Sequence, residues 1–413
     1  MGFGGKWRMW IRGCRNSAKA SVLVNGNPTD EFSTSKGVRQ GDPYSPFLFI
    51  AAMEGLSVAI KASCINGVFK GVQMPHGGPM ITHLWYADDA LFIGEWSEQN
   101  IKNLARVLRC FHVSSGLKVN FNKSNVYGIG AHTTEVACWA RPLGSDPSTL
   151  PFNYLGVPVG GNMKLKKHWK PMVDRFHGKL SIWKAKSLSF GGRLTLIKSV
   201  MGNLSEYFLS LFVAPERVIN TLEKIRRRFL WGGSEEQTKI HWVTWEKVIA
   251  DKKLGGLGVG SLKALNTSLI VKWFWRLRVE QRALWAKVIK GTWKNITGAK
   301  KDLEKKGVSI DQVIKKNVQP HGVTWSCGLT TDGEFNVKAL RVRLQTQEPV
   351  GIGKFLWVKQ VPLKVTSFIW RARLGRILAV VELIKRAVMV DSNICQQCGN
   401  AEEKVDHIFL DFR

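Results

Sequence analysis

The segment HLWYADDALFIGEW, residues 83–96, constrains the fold more than any other. Two short apolar runs, MITHLWY and ALFIGEW, meet at the adjacent aspartates Asp88 and Asp89. Neighbouring carboxylates repel, and a chain seldom keeps them beside apolar residues without a cation to hold. The pattern predicts a hairpin with both carboxylates at its tip.

The flanking sequence sets this hairpin in an α+β domain, expected over residues 1–160, with a mainly antiparallel sheet and packed helices. Trp7, Trp10, Ile11 and Cys14 fall at helical spacing, as in the tail of a helix. ASVLVNGNPTDEFS reads as two β-type runs about an Asn-Gly turn. After the loop TSKGVRQGDPYSP, Pro46 opens the apolar helix FLFIAAMEGLSVAIKA, which is expected to be buried. A further helix is expected between an N-cap at Ser97 and a stop at Gly116. LKVNFNKSNVYGIG alternates like a half-buried strand, which would carry Lys123.

From residue 161 the chain turns basic, Trp-rich and helical. In INTLEKIRRRFLWGG, Ile219, Leu222, Ile225, Phe229 and Leu230 share one face, leaving Glu223, Lys224, Arg226, Arg227 and Arg228 on the polar arc. DKKLGGLGVG (251–260) reads as a flexible break, and LIVKWFWRLRVEQRALWAKVIKGTW as one more helix. The expected division is a basic, Trp-rich helical region at 161–294, a polar connection at 295–353 and a small C-terminal module at 354–413.

Charge follows the same division. The chain holds 61 Lys and Arg against 31 Asp and Glu, a formal charge of +30. Residues 1–160 contribute only 15 basic and 10 acidic side chains, so most of the surplus lies beyond them. Such an excess favours a polyanionic partner, because each neutralised phosphate releases counterions. With 44% hydrophobic residues and 17 Trp, global disorder is excluded. Seven dispersed cysteines argue against a disulfide framework and for a reducing compartment. No apolar run reaches 18 residues and MGFGGKWRMW has no signal-peptide core, so no membrane partner is expected. The expected location is intracellular, nuclear or cytoplasmic.

Two carboxylates on a rigid turn suit Mg²⁺, which takes hard oxygen ligands and leaves positions for water and phosphate. Taken alone, the tetrapeptide YADD fits a solvated turn better than a metal site. Its context reverses that balance. Upstream, KGVRQGDPYSPFLF offers Arg39, Gln40 and Gly41 on a loop that can set a cation, an amide and bare backbone against a nucleotide. Downstream come Lys123 and the compact Gly/Pro-bounded turn LPFNYLGVPVGG. At the far end, Cys395 and Cys398 form C-x-x-C, and His407 follows; Cys and His are the usual ligands of tetrahedral Zn²⁺.

In this order the motifs closely resemble the reverse transcriptases of plant LINE-type non-LTR retrotransposons, across essentially the whole chain. RQGDPYSPFLF resembles the nucleotide-and-template loop, with Tyr44 where relatives usually have Leu. YADD matches the metal-binding hairpin, GLKVNFNKS is similar to the lysine-bearing motif, and FNYLGVPVG to the turn that grips the primer. LSFGGRLTLIKSV and RRRFLWGG resemble the thumb region, and the C-terminal unit resembles a zinc-binding module.

The resemblance implies an RNA-directed DNA polymerase with an RNA template, a DNA primer, deoxynucleoside triphosphates and Mg²⁺. It implies Asp88 and Asp89 as metal ligands, Tyr86 beside the primer terminus, and Arg39, Gln40 and Gly41 along the nucleotide and template. Tyr154, Leu155 and Gly156 would form the primer grip. Lys123 is either an aid to pyrophosphate departure or a solvated lysine.

The family also has an aspartate on an earlier strand, in a segment resembling KAFDSVxW, with a fingers region before it. Both would lie ahead of MGFGGKWRMWIRGC. The palm is therefore expected to be partial, and the isolated chain inactive in polymerisation; the alternative is a non-catalytic nucleic-acid-binding remnant. In the zinc module, Phe412 stands where relatives place a further Cys. A Zn²⁺ at Cys395, Cys398 and His407 would take Asp411 or water as its fourth ligand, or the site is degenerate.

Overall fold

The computed structural model describes residues 2–16, 19–33, 41–75, 77–181, 187–200, 206–233, 239–289, 303–304, 307–319, 322–345, 353, 355–358 and 360–411. It divides into two compact units, Met1–Phe152 and Asn153–Arg413.

The first unit is α+β. Helix α1 (Gly5–Asn16) precedes two nested hairpin pairings, β1 (Lys19–Ala20) with β4 (Phe32–Ser33) and β2 (Leu23–Val24) with β3 (Asn27–Pro28). Asn25 and Gly26 both have positive φ, as the expected Asn-Gly turn requires. Helix α2 (Ser45–Ile65) carries proline in its first turn, and α3 (Glu98–Ser115) packs on it. Ser97 accepts the Asn100 N–H at the start of α3, and Gly116 ends it in the left-handed conformation. Leu56 and Ile60 of α2, Leu108 of α3 and Phe69, from the segment after α2, form a small core, with Trp85, Phe92 and Phe121 packed against it.

Among the described residues the expected, mainly antiparallel sheet is not continuous: the strands pair in seven separate two-stranded sheets. One of them, β9 (Asn125–Tyr127) with β10 (Asp146–Ser148), is parallel and packs on α4 (Thr133–Ala140), whereas β5 (Val72–Gln73) pairs antiparallel with β6 (Met80–Ile81). The strands of this unit are only two to four residues long, too short to propagate a wide ladder. Lys123 also departs from expectation. It lies in a 3₁₀ turn, Phe121–Lys123, where Ser124 Oγ donates to Asn120 O and its N–H to Phe121 O. Such local Asn and Ser bonds compete with strand pairing.

Helix α2 was expected to be buried, yet only Leu56, Ser57 and Ile60 are; Phe47, Ile50, Val58 and Ile65 are exposed. By length and composition it is the one helix among the described residues apolar enough to cross a membrane, although Glu54 and Lys61 interrupt it.

The second unit is mainly helical. Its larger core gathers α5 (Lys170–Lys179), α6 (Phe190–Val200), α7 (Glu206–Leu211), α8 (Glu216–Trp231), α9 (Trp245–Ile249) and one face of α10 (Leu262–Val279). The opposite face of α10, with Ala264, Val271 and Trp275, enters a second core. That core also takes α12 (Ile310–Val313), the hairpin β13 (Ile314–Gln319)–β14 (Gly322–Cys327) and α13 (Val337–Gln345). Burial on both faces explains why α10 lacks the one-sided pattern of a surface helix. The helix stops at Val279 and α11 (Leu284–Ile289) follows, where one longer helix was expected. Residues 295–353, expected as a polar connection, thus contain a hairpin and helices that help close a core.

Two further expectations are overturned in this unit. Glu223 and Arg226 leave the solvated arc of α8: Arg226 is fully buried, donating to Glu223 Oε2 at 2.6 Å and to Gly260 O at 3.0 Å. Glu223 also accepts the Trp245 indole N–H and the Leu262 N–H. Residues 251–260 form a packed turn rather than a flexible break. A Cβ at Gly256 would sit 2.3 Å from Ala250 O, so only glycine fits there. Helix α14 (Leu363–Arg373) inserts Trp370 into the larger core, its indole donating to Gly255 O at 2.6 Å.

Candidate functional site

The predicted hairpin is present. Strands β7 (His83–Tyr86) and β8 (Asp89–Phe92) pair antiparallel, with Tyr86 opposite Asp89. The connecting residues are Ala87 and Asp88, so one aspartate lies in the turn and the other opens the return strand. Ala87 has φ +53°, whereas Asp88 does not have a positive φ. Positive φ at the first central residue alone is the mark of a II′ turn, which suits the twist of a hairpin.

Asp88, Asp89 and Tyr86 are all exposed at this tip. The base of the hairpin is fixed. Trp85 and Phe92 meet edge to face at 5.3 Å above the small core. His83 Nε2 lies 2.9 Å from Ser57 Oγ of α2, and its Nδ1 lies 2.8 Å from Thr82 Oγ1. Burial, reinforced by Lys61 against Glu54, lowers the His83 pKa, so the neutral imidazole is favoured. Beyond β8, Asn100 brackets the neighbouring loop, accepting the Lys70 N–H and donating to Lys70 O and Glu95 O. Gly94 permits this closeness, since a Cβ there would lie 2.8 Å from both Asn100 and Phe69.

The other predicted residues fall as follows. Gly41 is exposed with φ +84°, and Arg39 and Gln40 lie outside the described residues. Phe121, two residues before Lys123, belongs to the small core that carries Trp85 and Phe92. The other aspartates before residue 88 are Asp30, exposed, and Asp42, whose Oδ1 accepts the Tyr44 N–H at 2.8 Å. Tyr154 ends β11 (Phe152–Tyr154), and Leu155 and Gly156 form a tight turn into β12 (Val157–Val159). Both turn residues have positive φ, the pattern of a I′ turn. Val157 is buried in the large core, and the Arg175 guanidinium lies over Gly156. Neither Arg175 nor the Ser57–His83 contact was singled out from sequence, because each depends on a contact between distant segments.

At the C-terminal end, Cys395, Cys398 and His407 converge, with their donor atoms all within 4.8 Å of one another. Cys398 Sγ lies 3.2 Å from His407 Nε2 and accepts the Asn400 N–H at 3.5 Å. The backbone N–H groups of Asn400 and then Ala401 hold the Cys398 thiol down to about 7, with His407 and Cys395 adding to the effect. Two sulfurs and an imidazole nitrogen fit Zn²⁺, which pairs thiolates with histidine in tetrahedral sites. Phe412 and the Asp411 side chain lie outside the described residues.

Comparison with known proteins gives this geometry a family. Residues 3–159 match the family described as reverse transcriptase (RNA-dependent DNA polymerase), and residues 335–412 match zinc-binding in reverse transcriptase. The chain belongs to the reverse transcriptase family, and its relatives agree with a LINE-type, non-LTR origin.

An Arabidopsis thaliana protein named, provisionally, as a ribonuclease H protein is 25% identical over 62% of this chain and 56% of its own length. An uncharacterised mitochondrial protein of the same plant is 34% identical over 26% of this chain and 88% of its own. The retrovirus-related Pol polyprotein of the type-1 retrotransposable element R2 from Popillia japonica is 28% identical over 46% of this chain and 26% of its own. The chain thus spans about half of the first of these relatives and about a quarter of the last.

Proposed function

We propose that the chain is the palm, thumb and zinc-module portion of an RNA-directed DNA polymerase, with Asp88 and Asp89 holding Mg²⁺. The supporting observation is the β7–β8 hairpin, which presents two adjacent carboxylates on an exposed, anchored turn. Hard carboxylate oxygens with room for water and phosphate fit Mg²⁺. Bound there, the ion supplies charge stabilisation at the transferring phosphoryl group. Tyr86, opposite Asp89 at the tip, would pack against the primer terminus. Arg39, Gln40 and Gly41 would contact nucleotide and template, and Lys123 the departing pyrophosphate. The turn Tyr154–Gly156, rigid through its positive-φ pair, would support the primer strand. The basic helices of residues 161–290 would track phosphates as a thumb, and Cys395, Cys398 and His407 would bind Zn²⁺.

A second reading, a non-catalytic nucleic-acid-binding remnant, has its own supporting observation. Within these 413 residues Asp30 and Asp42 are the only other aspartates ahead of the hairpin. Two-metal phosphoryl transfer needs several carboxylate oxygens to hold the ions in line. The 413 residues tested by themselves are therefore expected not to polymerise. Incubation with a primed RNA template, Mg²⁺ and deoxynucleotides decides this, and clear primer extension would refute the expectation. Salt-sensitive, sequence-tolerant binding of RNA and DNA is expected under either reading.

A further inference from the structure

Six exposed residues of α2, Phe47, Ile50, Glu54, Val58, Lys61 and Ile65, recur every three or four positions. At 3.6 residues per turn they fall within an arc of about 80°, one narrow stripe along the helix. Leu56 and Ile60 leave α2 on the other side and enter the small core. Phe47 and Ile65, at the two ends of the stripe, keep 72% and 86% of their surface exposed, so nothing among the described residues covers them. Apolar side chains aligned in this way mark a contact surface, unlike apolar residues scattered singly.

The charges decide what fits the stripe. Glu54 and Lys61 stand within it, seven residues and about 10 Å apart along the axis. Among the described residues neither has an ion-pair partner. A helix lying on a membrane keeps its charges on the polar face, whereas these two divide the apolar one. A second α2 laid antiparallel satisfies both. Setting Glu54 beside Lys61 of the second copy also sets Lys61 beside the second Glu54, because a two-fold contact repeats each pair in reverse. The same register opposes Ile50 to the other Ile65 and brings Val58 next to its own counterpart at the axis. A parallel pair would oppose Glu54 to Glu54 and Lys61 to Lys61.

We propose that this stripe is the two-fold interface of a homodimer, in which α2 packs antiparallel on α2 of a second copy with Glu54 paired to Lys61. Residues 1–160 carry 15 basic and 10 acidic side chains, so little net repulsion opposes an approach through this unit. One helix pair buries less than the roughly 1,200 Å² of stable interfaces, so the dimer is reversible and concentration-dependent. It accounts for an apolar helix that the small core leaves half uncovered. The interface requires no metal at Asp88 and no polymerase activity.

The test is sedimentation velocity on the full chain, treated with nuclease so that no nucleic acid bridges two copies, over a range of concentrations. The wild type should pass from monomer to dimer. Glu54→Lys and Lys61→Glu each turn both ion pairs into repulsions and should each weaken association by about tenfold. Mixing the two single variants should restore it, because every contact between positions 54 and 61 then joins opposite charges. The double variant Glu54→Lys/Lys61→Glu should dimerise like the wild type. Both positions are exposed, and a melting curve of each variant checks the fold. A wild type that stays monomeric, an association that both single variants retain in full, or a loss that mixing does not restore would overturn the dimer. Binding to phosphatidylcholine vesicles in place of self-association would give the stripe to a membrane and overturn it equally. Primer extension is not a readout, so failure of the polymerase reading leaves this result independent.

Discussion

Ser57 Oγ and His83 Nε2 meet at 2.9 Å and join helix α2 to the strand that carries the aspartate hairpin. With Thr82 on the other ring nitrogen, His83 is held at both ends, and the base of the hairpin takes its orientation from α2. The exposed tip is thus carried by a half-buried imidazole.

That arrangement has a pH signature. Burial, then Lys61, lowers the folded pKa of His83 below its usual value of 6.5. The unfolded chain then binds the proton more tightly, so stability falls with acidity. The contribution is complete above about pH 6.5 and is lost as pH drops through the lowered folded pKa. Thermal melts of the wild type and His83→Gln between pH 4.5 and 7.5 should converge at the acid end. Parallel curves would contradict this.

Asp88→Asn and Asp89→Asn should each weaken metal binding while leaving the fold intact. Both side chains are exposed, and surface substitutions of this kind change stability by about 0.5 kcal/mol or less. Titration with Mn²⁺ followed by electron paramagnetic resonance, beside a melting curve, separates the two effects. Unchanged Mn²⁺ affinity in the double variant would remove the hairpin from the metal site.

Fully buried Arg226 is paired with the largely enclosed Glu223, and breaking the pair should be costly. Glu223→Ala leaves the Arg226 guanidinium uncompensated and also strips acceptors from Trp245 and Leu262. Removing one partner of such a pair costs about 3–5 kcal/mol. Adding Arg226→Met should recover part of that loss, because the stranded charge disappears. Urea unfolding of the two single variants and the double variant measures the coupling.

The cluster of Cys395, Cys398 and His407 should take up about one Zn²⁺ per chain. Cys395→Ser or His407→Ala should reduce that stoichiometry, and a chelator should lower the melting temperature of the wild type more than that of either variant. Metal content by mass spectrometry checks the first statement. Retention of full zinc by Cys395→Ser would place the metal elsewhere.

Much of the local structure was legible in residue order. Asn25-Gly26 specified its turn, Ser97 and Gly116 bounded α3, and Asp88-Asp89 between apolar runs specified a hairpin. Each rests on interactions within a few residues, which residue type and spacing report directly. Lys123 shows how far that reaches: its segment alternates like a strand, yet Asn120 and Ser124 close it into a 3₁₀ turn.

The sequence by itself determined the reverse-transcriptase motifs, their order, the basic character of the second unit and the C-x-x-C…His spacing. Tertiary structure alone decided that Arg226 is interior, that Gly256 packs against Ala250 and Gly255 meets the Trp370 indole, and that residues 310–345 help build a core. Helical periodicity assigns a charged residue to the solvent arc, because it cannot register carbonyls arriving from a turn over thirty residues away. Glycine is read as freedom when its chemistry is viewed locally; here the same lack of a side chain serves close approach. Both outcomes depend on which distant backbone groups need partners once they leave water, and that is settled only when the segments meet.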